Sequence, residues 1–496
     1  MNLASIIEAH PAGRVALISR GRETTYGTLR EQVADARSRL AQLGIGPGDR
    51  VALLIGNNRH FVVSYLAVLG LGAVAVPLNP TSPANEIERE LLVVGAVAVV
   101  VGPTGVPSWR NVELHIVPSV RHVIVVEGVL SGATLIDDLP PGPPAPIADV
   151  ADSDLAVLVF TSGTAGATRA AMLSHGNLLA NIRQANDVEA GDMIESDVVY
   201  GVLPMFHIFG LNVMLGISLS VGATVVLVQR FDPSTALETV AKWGVTVMPG
   251  APPMWVAFSM FEDAPANAFA TVRNASTGAA KMPEEATRRL YERFGLELAE
   301  GYGLTEASPV VTTSRSGAMR IGSVGKVLDG VEVQLVDESG DQALLGDAGE
   351  IWVRGANVFQ GYLGEPEQTA RVLTADGWLR TGDVAVTDAD GYLYLIDRAK
   401  DLIIVSGFNV YPKEVEDVLM AYSGVVEVGV VGVPHPHTGE AVKAFVVAAD
   451  GVHLDEDALI DHCLDELARY KCPSKILFVD QLPRNLSGKL LRRELM

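Results

Sequence analysis

LAVLVFTSGTAGATRAAMLSH, residues 155–175, is the stretch from which we interpret the fold and the chemistry of this chain. Its first six residues are apolar and partly β-branched, which is typical of a buried strand. Small and hydroxyl-bearing residues follow from Thr161 to Gly166, and they let backbone N–H groups approach a phosphate chain closely. Arg169 adds a fixed positive charge nearby. The stretch therefore predicts a phosphate-binding loop after a core strand, with an ordinary Ser/Gly turn as the alternative.

Two other nucleotide-binding patterns can be set aside. The chain contains no G-x-x-x-x-G-K-[ST] sequence, which marks P-loop ATPases. Gly70, Gly72 and Ala75 spell G-x-G-x-x-A, but they follow a helical pattern and precede a strand-like run. The dinucleotide fingerprint requires the opposite order, so we interpret these residues as a helix end with a tight turn.

Composition limits the class of protein. Of the 496 residues, 48% are hydrophobic and 19% are charged, which indicates a globular protein of at least two domains. The net charge of −22 argues against non-specific binding to nucleic acid or to anionic membranes. Cys463 and Cys472 are the only cysteines, and the first residues do not resemble a signal peptide. We therefore expect a reducing, cytoplasmic compartment.

One uncharged run, residues 209–229, is long enough to cross a bilayer. Its pattern breaks at Val221 and Gly222 into a helix-like half and a strand-like half. The run therefore predicts a buried helix–strand pair, and no integral membrane segment is expected.

Helix-like and strand-like runs alternate over the first 280 residues or so, beginning with a predicted helix at 25–43 and a strand at 51–55. This alternation is typical of a mostly parallel α/β sheet. Short strands follow from about residue 348, and helices and strands mix again near the end. We predict an α/β fold, with an α+β C-terminal part. A large N-terminal domain of layered α/β sheets with a short β-rich region would span residues 1–397, and a small mobile C-terminal lid domain residues 398–496.

Four further motifs accompany the TSGTAG loop: EGYGLTE at 300–306, RTGD at 380–383, DRAKDLIIVSGFNVYP at 397–412 and RNLSGKL at 484–490. In this order they resemble the adenylate-forming enzymes, a superfamily of acyl-CoA synthetases, coumarate–CoA ligases, peptide-synthetase adenylation domains and beetle luciferases. Each motif alone is weak, but five in register are specific. The resemblance implies an AMP-forming acid–thiol ligase that uses ATP, Mg²⁺ and coenzyme A.

The resemblance also implies a nucleotide site. Glu306 and Thr161 would hold Mg²⁺, and Thr305 would contact the α-phosphate. Asp383, backed by Arg398, would accept hydrogen bonds from the ribose. The phosphate loop and the adenine slot would be formed by Ser162, Gly163, Thr164, Gly166, Arg169, Gly278, Ala279, Ala280, Glu300, Gly301 and Tyr302. The alternatives are a solvated loop acid at Glu306 and an Asx cap at Asp383.

In the same superfamily, the residue matching Lys489 bridges the substrate carboxylate and ATP. A net charge of +5 within residues 469–496 supports this role, since a polyphosphate needs local positive charge in an acidic protein. The resemblance further implies a hinge at Lys400 and a thiol channel lined by Ser406 and Gly407. Arg230 would bind the nucleotide of coenzyme A. A flexible tail lysine at Lys489 and a surface arginine at Arg230 are the alternatives.

Substrate choice is expected to depend on PMFHIFGLNVML, residues 204–215. Amino-acid-activating relatives carry aspartate where this chain has His207, so an acid without an α-amino group is indicated. His207 would form a wall of the carboxylate site and Gly210 would line the pocket; a core histidine is the alternative at His207. Phe209 and Val213 are apolar where coumarate-type ligases are commonly polar, which favours a medium- or long-chain alkyl acid.

The phosphate loop departs from the usual family pattern at Ala165, Thr168, Arg169 and Ala170, which replace Thr, Pro, Lys and Gly. Arginine keeps the charge but spreads it over a planar fork, so handling of pyrophosphate is expected to differ.

Four other functions remain as alternatives to an acyl-CoA synthetase: an acyl-AMP ligase that loads a carrier protein, an aryl- or coumarate-type CoA ligase, a luciferase-type oxygenase and a nucleotide-binding regulator. The sequence leaves the oligomeric state open, with a homodimer among the alternatives.

Overall fold

A computed structural model gives the architecture of the chain and describes residues 1–161, 169–188, 193–280, 282–315, 319–337, 339–398, 403–405, 408–410, 412–435, 439–467, 469–484 and 490–495. These residues form two compact units. Unit 1 comprises Met1–Ile321, Gly325–Glu332 and Val353–Leu379. Unit 2 comprises Gly322–Val324, Val333–Trp352 and Arg380–Met496. The division into an N-terminal domain of residues 1–397 and a C-terminal lid domain of residues 398–496 remains a prediction.

Strands and helices in the described residues are numbered in chain order. The strands are β1 (Val15–Ser19), β2 (Arg22–Thr25), β3 (Arg50–Leu54), β4 (Val74–Pro77), β5 (Ala98–Val101), β6 (His122–Val125), β7 (Thr134–Leu135), β8 (Leu155–Thr161), β9 (Arg169–Ser174), β10 (Val198–Gly201), β11 (Thr224–Leu227), β12 (Val247–Gly250), β13 (Asn274–Thr277), β14 (Leu298–Gly303), β15 (Val310–Thr313), β16 (Lys326–Val327), β17 (Val331–Val336), β18 (Gly349–Gly355), β19 (Leu379–Thr387), β20 (Leu393–Arg398), β21 (Ile403–Val405), β22 (Phe408–Val410), β23 (Val425–His435), β24 (Gly439–Ala448) and β25 (Lys475–Phe478). The α-helices are α1 (Tyr26–Gln42), α2 (Arg59–Gly70), α3 (Ala84–Val94), α4 (Val106–Trp109), α5 (His175–Asn186), α6 (Ser218–Val221), α7 (Pro233–Trp243), α8 (Pro252–Met260), α9 (Glu284–Phe294), α10 (Pro366–Val372), α11 (Pro412–Met420) and α12 (Glu456–Glu466).

Unit 1 contains two large sheets, as the alternation of helices and strands predicted. One has seven strands in the order β7-β6-β5-β3-β4-β8-β9, parallel except for the β8–β9 pair. The other has nine, in the order β16-β15-β14-β13-β12-β10-β11-β1-β2, with a parallel centre. Helices cover both sheets: α3 packs its Ile87 and Leu91 on the first, and α8 its Trp255 and Phe258 on the second. The α/β prediction is confirmed.

Local signals explain several boundaries. The predicted helix at 25–43 is α1, which Thr25 caps by accepting a hydrogen bond from the backbone N–H of Thr28. The helix α2 ends at Gly70 and the strand β4 begins at Val74, as expected for a helix end with a tight turn. Gly72 between them has a φ of 69°, a conformation that favours glycine.

The predicted core strand at 155–160 is β8, which pairs in parallel with β4 and antiparallel with β9. Thr161 and Arg169 face each other across the β8–β9 pair. The phosphate loop therefore connects two antiparallel strands, unlike a P-loop, which leads from a strand into a helix.

Residues 209–229 form the expected buried helix–strand pair. Phe209–Ile217 is a π-helix, which continues into α6 and, after Gly222, into β11. Long π-helices are rare and are often found at functional sites. In the part of the chain that the structure describes, no helix is long and apolar enough to cross a membrane.

Beyond these two sheets, a four-stranded sheet has the order β17-β18-β19-β20. The end of unit 2 is built on β22-β21-β24-β23, with β25 added in parallel beside β24. The helices α11 and α12 pack Val415 and Leu459 into the core of this last sheet. The mixture of helices and strands predicted near the end of the chain is present as α11, β23, β24 and α12.

Candidate active site

The loop that carries Thr305 and Glu306 connects β14 to β15. A Cβ added at Gly303 would lie 2.1 Å from the carbonyl oxygen of Pro309, so only glycine fits there. The backbone N–H of Leu304 donates to the same oxygen at 3.0 Å. This close turn brings Thr305 and Glu306 to the carboxyl end of β14, the edge at which ligands bind in α/β sheets.

Three amide side chains hold this loop. Asn212, in the π-helix, donates to the carbonyl oxygen of Ser308 at 2.7 Å, and Asn357 donates to that of Ala307 at 2.8 Å. Asn181 exchanges two hydrogen bonds with the backbone of Val310, at 2.8 and 3.0 Å. All three amides are buried, and their loss would leave buried backbone groups without partners. Sequence reasoning missed them, because each lies far from the loop along the chain.

The Glu306 carboxylate is half-buried and contacts Tyr362. The hydroxyl of Tyr362 donates to Oε1 of Glu306 at 2.6 Å. The carbonyl oxygen of Glu306 accepts from the backbone N–H of Phe359 at 2.8 Å. Burial, together with the neighbouring Glu306 charge, raises the pKa of Tyr362 above its usual value, so its hydroxyl remains a donor.

Arg169 begins β9, and its side chain is only 15% exposed. Its Nε donates to Oε2 of Glu365 at 3.0 Å. Its guanidinium carbon lies 5.7 Å from the centre of the Tyr362 ring. Arg169, which replaces the usual lysine, thus contacts Tyr362, and Tyr362 in turn contacts Glu306 of the EGYGLTE motif.

The expected adenine slot lies where β13 and β14 end side by side. Thr277 and Glu300 are partners in this parallel pair, followed by Gly278 and Gly301. Ala279 has a φ of 70°, which is strained for a residue with a Cβ and is typical of functional sites. Among the described residues, the buried hydroxyl of Thr277 has no hydrogen-bond partner, so a polar group of a ligand can bind it. Ala280 is half-buried in the same turn and Tyr302 is buried on β14.

The π-helix, which carries the residues predicted to line the acyl pocket, lies against this turn. A Cβ added at Gly278 would lie 3.5 Å from both the Phe209 ring and the carbonyl oxygen of Gly301. Nδ1 of His207 accepts from the backbone N–H of Phe209 at 3.2 Å. Phe209, Gly278 and Gly301 therefore meet at one point, with half-buried Val213 one turn further along the helix. Gly210 is buried, and a Cβ there would lie 2.1 Å from the Pro204 carbonyl oxygen, which gives it a packing role.

Asn57 connects the seven-stranded sheet to the segment that leads to His207. Its side-chain amide donates to the carbonyl oxygens of Gly201 and Leu203 at 3.2 and 2.7 Å. Its Oδ1 accepts from the backbone N–H of Met205 at 3.1 Å. Asn57 is not among the residues predicted from the sequence, although a polar residue just after a buried parallel strand is a usable signal.

In unit 2, the RTGD motif lies on β19, where Asp383 faces Arg398 of β20. The backbone N–H of Gly382 donates to Oε1 of Glu350 at 2.9 Å, and that of Asp383 to the hydroxyl of Thr381 at 3.1 Å. Asp383 and Arg398 are backbone partners in the antiparallel register of β19 and β20, and the support of Asp383 by Arg398 at a ribose remains a prediction. Glu350 and Thr381 fix the turn before Asp383.

The remaining predicted site residues lie at the surface or outside the described part of the chain. Arg230 is exposed after β11, beside Asp232. Eight predicted residues lie outside the described part of the chain: Ser162, Gly163, Thr164, Gly166, Lys400, Ser406, Gly407 and Lys489.

Thr305 and Glu306, neighbours on one loop, fit a magnesium ion bound together with a nucleotide. They offer only oxygen donors, which Mg²⁺ prefers, and so does Thr161 at the end of β8. In the described ranges, no three His, Cys, Asp or Glu side chains are grouped to hold a metal. Mg²⁺ needs no such group, because it commonly binds through one or two carboxylates, waters and substrate phosphates.

The chain matches the family described as AMP-binding enzyme over residues 4–363, and the AMP-binding enzyme C-terminal domain over residues 414–489. It therefore belongs to the AMP-binding enzyme family. This membership confirms the adenylate-forming class, the acid–thiol ligase activity, and ATP, Mg²⁺ and coenzyme A as the cofactors of that family.

Two curated relatives are similar over almost their full length. A feruloyl-CoA synthase from Amycolatopsis sp is 37% identical over 96% of this chain and 94% of its own. A long-chain-fatty-acid–CoA ligase from Salmonella typhimurium is 35% identical over 98% of this chain and 91% of its own. Among solved structures, ATP-bound MatB from Rhodopseudomonas palustris superposes with a TM-score of 0.92 at 31% identity, covering 100% of this chain and 98% of its own.

Proposed function

We propose that the chain is an ATP-dependent acyl-CoA synthetase for medium- or long-chain carboxylic acids. A carboxylate oxygen attacks the α-phosphorus of ATP, the bond from that phosphorus to the bridging oxygen breaks, and pyrophosphate leaves. The thiol sulfur of coenzyme A then attacks the acyl carbon, AMP leaves, and the thiol proton passes to solvent. Mg²⁺ held at Glu306 would neutralise charge on the phosphates.

The positions of the nucleotide-site residues support the roles proposed for them. Thr305 and Glu306 lie on a loop that buried amides hold in place, so their oxygens are preorganised. The Nε of Arg169 is occupied by Glu365, and its Nη groups are the donors through which it would contact phosphate. The orphaned hydroxyl of Thr277 and the turn at Ala279 support adenine binding beside Gly278.

The remaining roles are proposals from the resemblance alone. Lys489 would serve adenylation, and Asp383 with Arg398 would bind the ribose. Ser406, Gly407 and Arg230 would contact coenzyme A, with Lys400 as the hinge between the two half-reactions. An acyl-AMP ligase would form the same acyl-adenylate. The two enzymes differ in the second step, in which the acyl group passes to coenzyme A in this proposal and to a carrier protein in the acyl-AMP ligase.

The apolar wall at Phe209 is the observation that carries the acid class. Phe209 lies against Gly278 and Gly301, and Val213 follows on the same helix. Neither side chain can accept or donate a hydrogen bond, so a phenol hydroxyl buried against them would cost about 1–3 kcal/mol. An alkyl chain instead gains about 0.8 kcal/mol for each methylene that it buries.

An aryl- or coumarate-type CoA ligase is the second candidate. The similarity to a feruloyl-CoA synthase, at 37% identity, favours it. The Phe209 ring also offers a face on which an aromatic acid can stack. The two candidates share the adenylation chemistry and differ only in what occupies the pocket.

A panel of acids separates these candidates. Pyrophosphate release is measured for saturated acids from butyrate to palmitate and for ferulate, coumarate and benzoate, with coenzyme A, with a holo-carrier protein and with neither. We expect kcat/KM to rise along the alkyl series and thioester to form with coenzyme A. A preference for coumarate or ferulate would favour the aryl ligase, and thioester on the carrier alone would favour the acyl-AMP ligase.

A matched pair of variants tests whether the apolar wall formed by Phe209 and Val213 contacts the acid. Val213→Thr adds a hydroxyl without changing shape, and we expect it to raise kcat/KM for hydroxycinnamates relative to alkyl acids. Val272→Thr makes the same change at a half-buried residue that packs against the core of the nine-stranded sheet, and it should leave that ratio unchanged. Equal effects of the two variants would contradict the proposed pocket.

A further inference from the structure

A short segment, residues 359–365, lies alongside the strand that follows the phosphate loop. It runs antiparallel to β9, with Tyr362 opposite Ala171. Hydrogen bonds of 2.9, 3.0 and 2.9 Å join the two backbones, respectively Met172 N to Gly361 O, Gln360 N to Met172 O and Leu363 N to Ala170 O. The backbone of Tyr362 is therefore fixed relative to the strand that begins at Arg169.

Tyr362 reaches from this segment to the Glu306 side chain. Its hydroxyl donates to Oε1 at 2.6 Å, while the backbone of Phe359 holds the carbonyl oxygen of Glu306 at 2.8 Å. The rings of Phe359 and Tyr362 meet edge to face with their centres 5.0 Å apart. One segment thus holds both the main chain and the carboxylate of Glu306.

The ring of Tyr362 is itself held in place. The Arg169 guanidinium lies within cation–π distance of it and is paired with Glu365. The backbone N–H of Tyr362 donates to the hydroxyl of Thr369 at 2.9 Å, and that hydroxyl donates to the carbonyl oxygen of Glu365 at 2.9 Å. Rotation of the ring away from Glu306 would break its contact with the Arg169 guanidinium, while the Thr369 hydrogen bonds fix the main chain from which the ring projects.

We propose that Tyr362 is a positioning residue for adenylation. It holds Oε1 of Glu306 so that Oε2 is presented to the metal that accompanies ATP, and the Arg169–Glu365 pair fixes the Tyr362 ring. A carboxylate without this restraint rotates freely about its last torsion, so less of it is correctly oriented. The inference rests on the proposed role of Glu306 in holding Mg²⁺.

Metal binding tests this inference without turnover. Binding of Mn²⁺, as a spectroscopic substitute for Mg²⁺, is measured by electron paramagnetic resonance in the presence of α,β-methylene-ATP. Loss of a hydrogen-bonded partner of a metal ligand weakens metal affinity by about 10–100-fold. We expect Tyr362→Phe to weaken Mn²⁺ binding within this range, with the thermal unfolding midpoint recorded alongside.

Tyr394→Phe is the matched control. The Tyr394 hydroxyl donates to Asp388 at 3.1 Å in unit 2, so this variant also removes a tyrosine–carboxylate hydrogen bond. It should leave Mn²⁺ affinity unchanged. A Tyr362→Phe protein that binds Mn²⁺ as tightly as the wild type would overturn the positioning role.

A double-mutant cycle separates failure of this inference from failure of the proposed Glu306 role. If Tyr362 acts through Glu306, Tyr362→Phe has no further effect on Mn²⁺ affinity in a Glu306→Gln background. Additive losses would mean that Tyr362 acts by another route and would overturn the inference. If Glu306→Gln alone leaves Mn²⁺ affinity unchanged, Glu306 is not a metal ligand and both proposals fail.

Discussion

His175 links the protonation of one side chain to the stability of unit 1. It is buried at the start of α5, and its Nδ1 accepts from the backbone N–H of Leu3 at 3.0 Å. Among the described residues, its Nε2 has no hydrogen-bond partner. Burial, and to a smaller extent the N-terminal amine, lowers the pKa of His175 from 6.5 to about 4. The folded protein therefore keeps this imidazole neutral at pH 5, whereas the unfolded chain protonates it.

We expect acid to destabilise the protein through this residue. Between pH 6.5 and 4 the unfolded chain binds a proton that the folded chain does not, so the free energy of unfolding falls as pH falls. The loss from His175 approaches about 3 kcal/mol near pH 4, at about 1.4 kcal/mol for each pKa unit. Urea unfolding at pH 7, 6 and 5 should show a weaker pH dependence for His175→Gln than for the wild type. The exposed His453→Gln is the control, and equal slopes for wild type and His175→Gln would contradict this explanation.

At the scale of helices and strands, the adjacent residues Asn57 and Asn58, which follow β3, form different contacts. Asn57 bridges to the segment that leads to His207, with three hydrogen bonds to Gly201, Leu203 and Met205. Asn58 caps α2 by accepting from the backbone N–H groups of His60 and Phe61 at 2.9 and 3.3 Å. Their neighbouring positions, equal size and similar burial make them a natural pair for comparison.

We expect Asn57→Ala to raise KM for the acid by about ten-fold, with KM for ATP unchanged. Loss of the amide leaves buried backbone groups unpaired, at a cost of about 1–3 kcal/mol, and loosens the pocket wall. Asn58→Ala removes a helix cap, which costs about 1 kcal/mol of stability. It should lower the unfolding midpoint while leaving both KM values unchanged. If the two variants have the same kinetics, Asn57 contributes stability only.

Local sequence patterns predicted helices and strands, but they did not predict the side-chain contacts of the candidate active site that join residues distant in sequence. Helical periodicity located α1, an apolar run located β8, and the break at Val221 and Gly222 located the helix–strand pair at 209–229, because each of these signals lies within a short stretch of sequence. Nothing local indicated that Phe209–Ile217 would be a π-helix. Tyr362 lies 56 residues from Glu306, and Glu365 lies 196 residues from Arg169. Such pairs depend on how strands are ordered in a sheet, which a single sequence does not specify.

At the scale of the whole molecule, adenylation and thioester formation are expected to depend on different residues. Lys489→Ala should lose adenylation but still convert supplied acyl-AMP to acyl-CoA, since the lysine is proposed to act on the carboxylate and ATP alone. Pyrophosphate release and thioester formation are assayed separately. Lys242→Ala is the control, because this exposed lysine on α7 lies outside the basic segment 469–496 and contacts the Trp243 ring at 5.0 Å. Equal loss of both half-reactions in Lys489→Ala would contradict the separation.

Transfer of oxygen from the acid to AMP tests the central claim most directly, that the protein activates a carboxylate through an acyl-adenylate. The alkyl acid with the highest kcat/KM is labelled with ¹⁸O in both carboxylate oxygens and incubated with ATP, Mg²⁺ and coenzyme A. Mass spectrometry of the products then follows the label. Attack on the α-phosphorus predicts one ¹⁸O in AMP, unlabelled pyrophosphate and one ¹⁸O retained in the thioester. Unlabelled AMP, or label in pyrophosphate or phosphate, would contradict the acyl-adenylate mechanism.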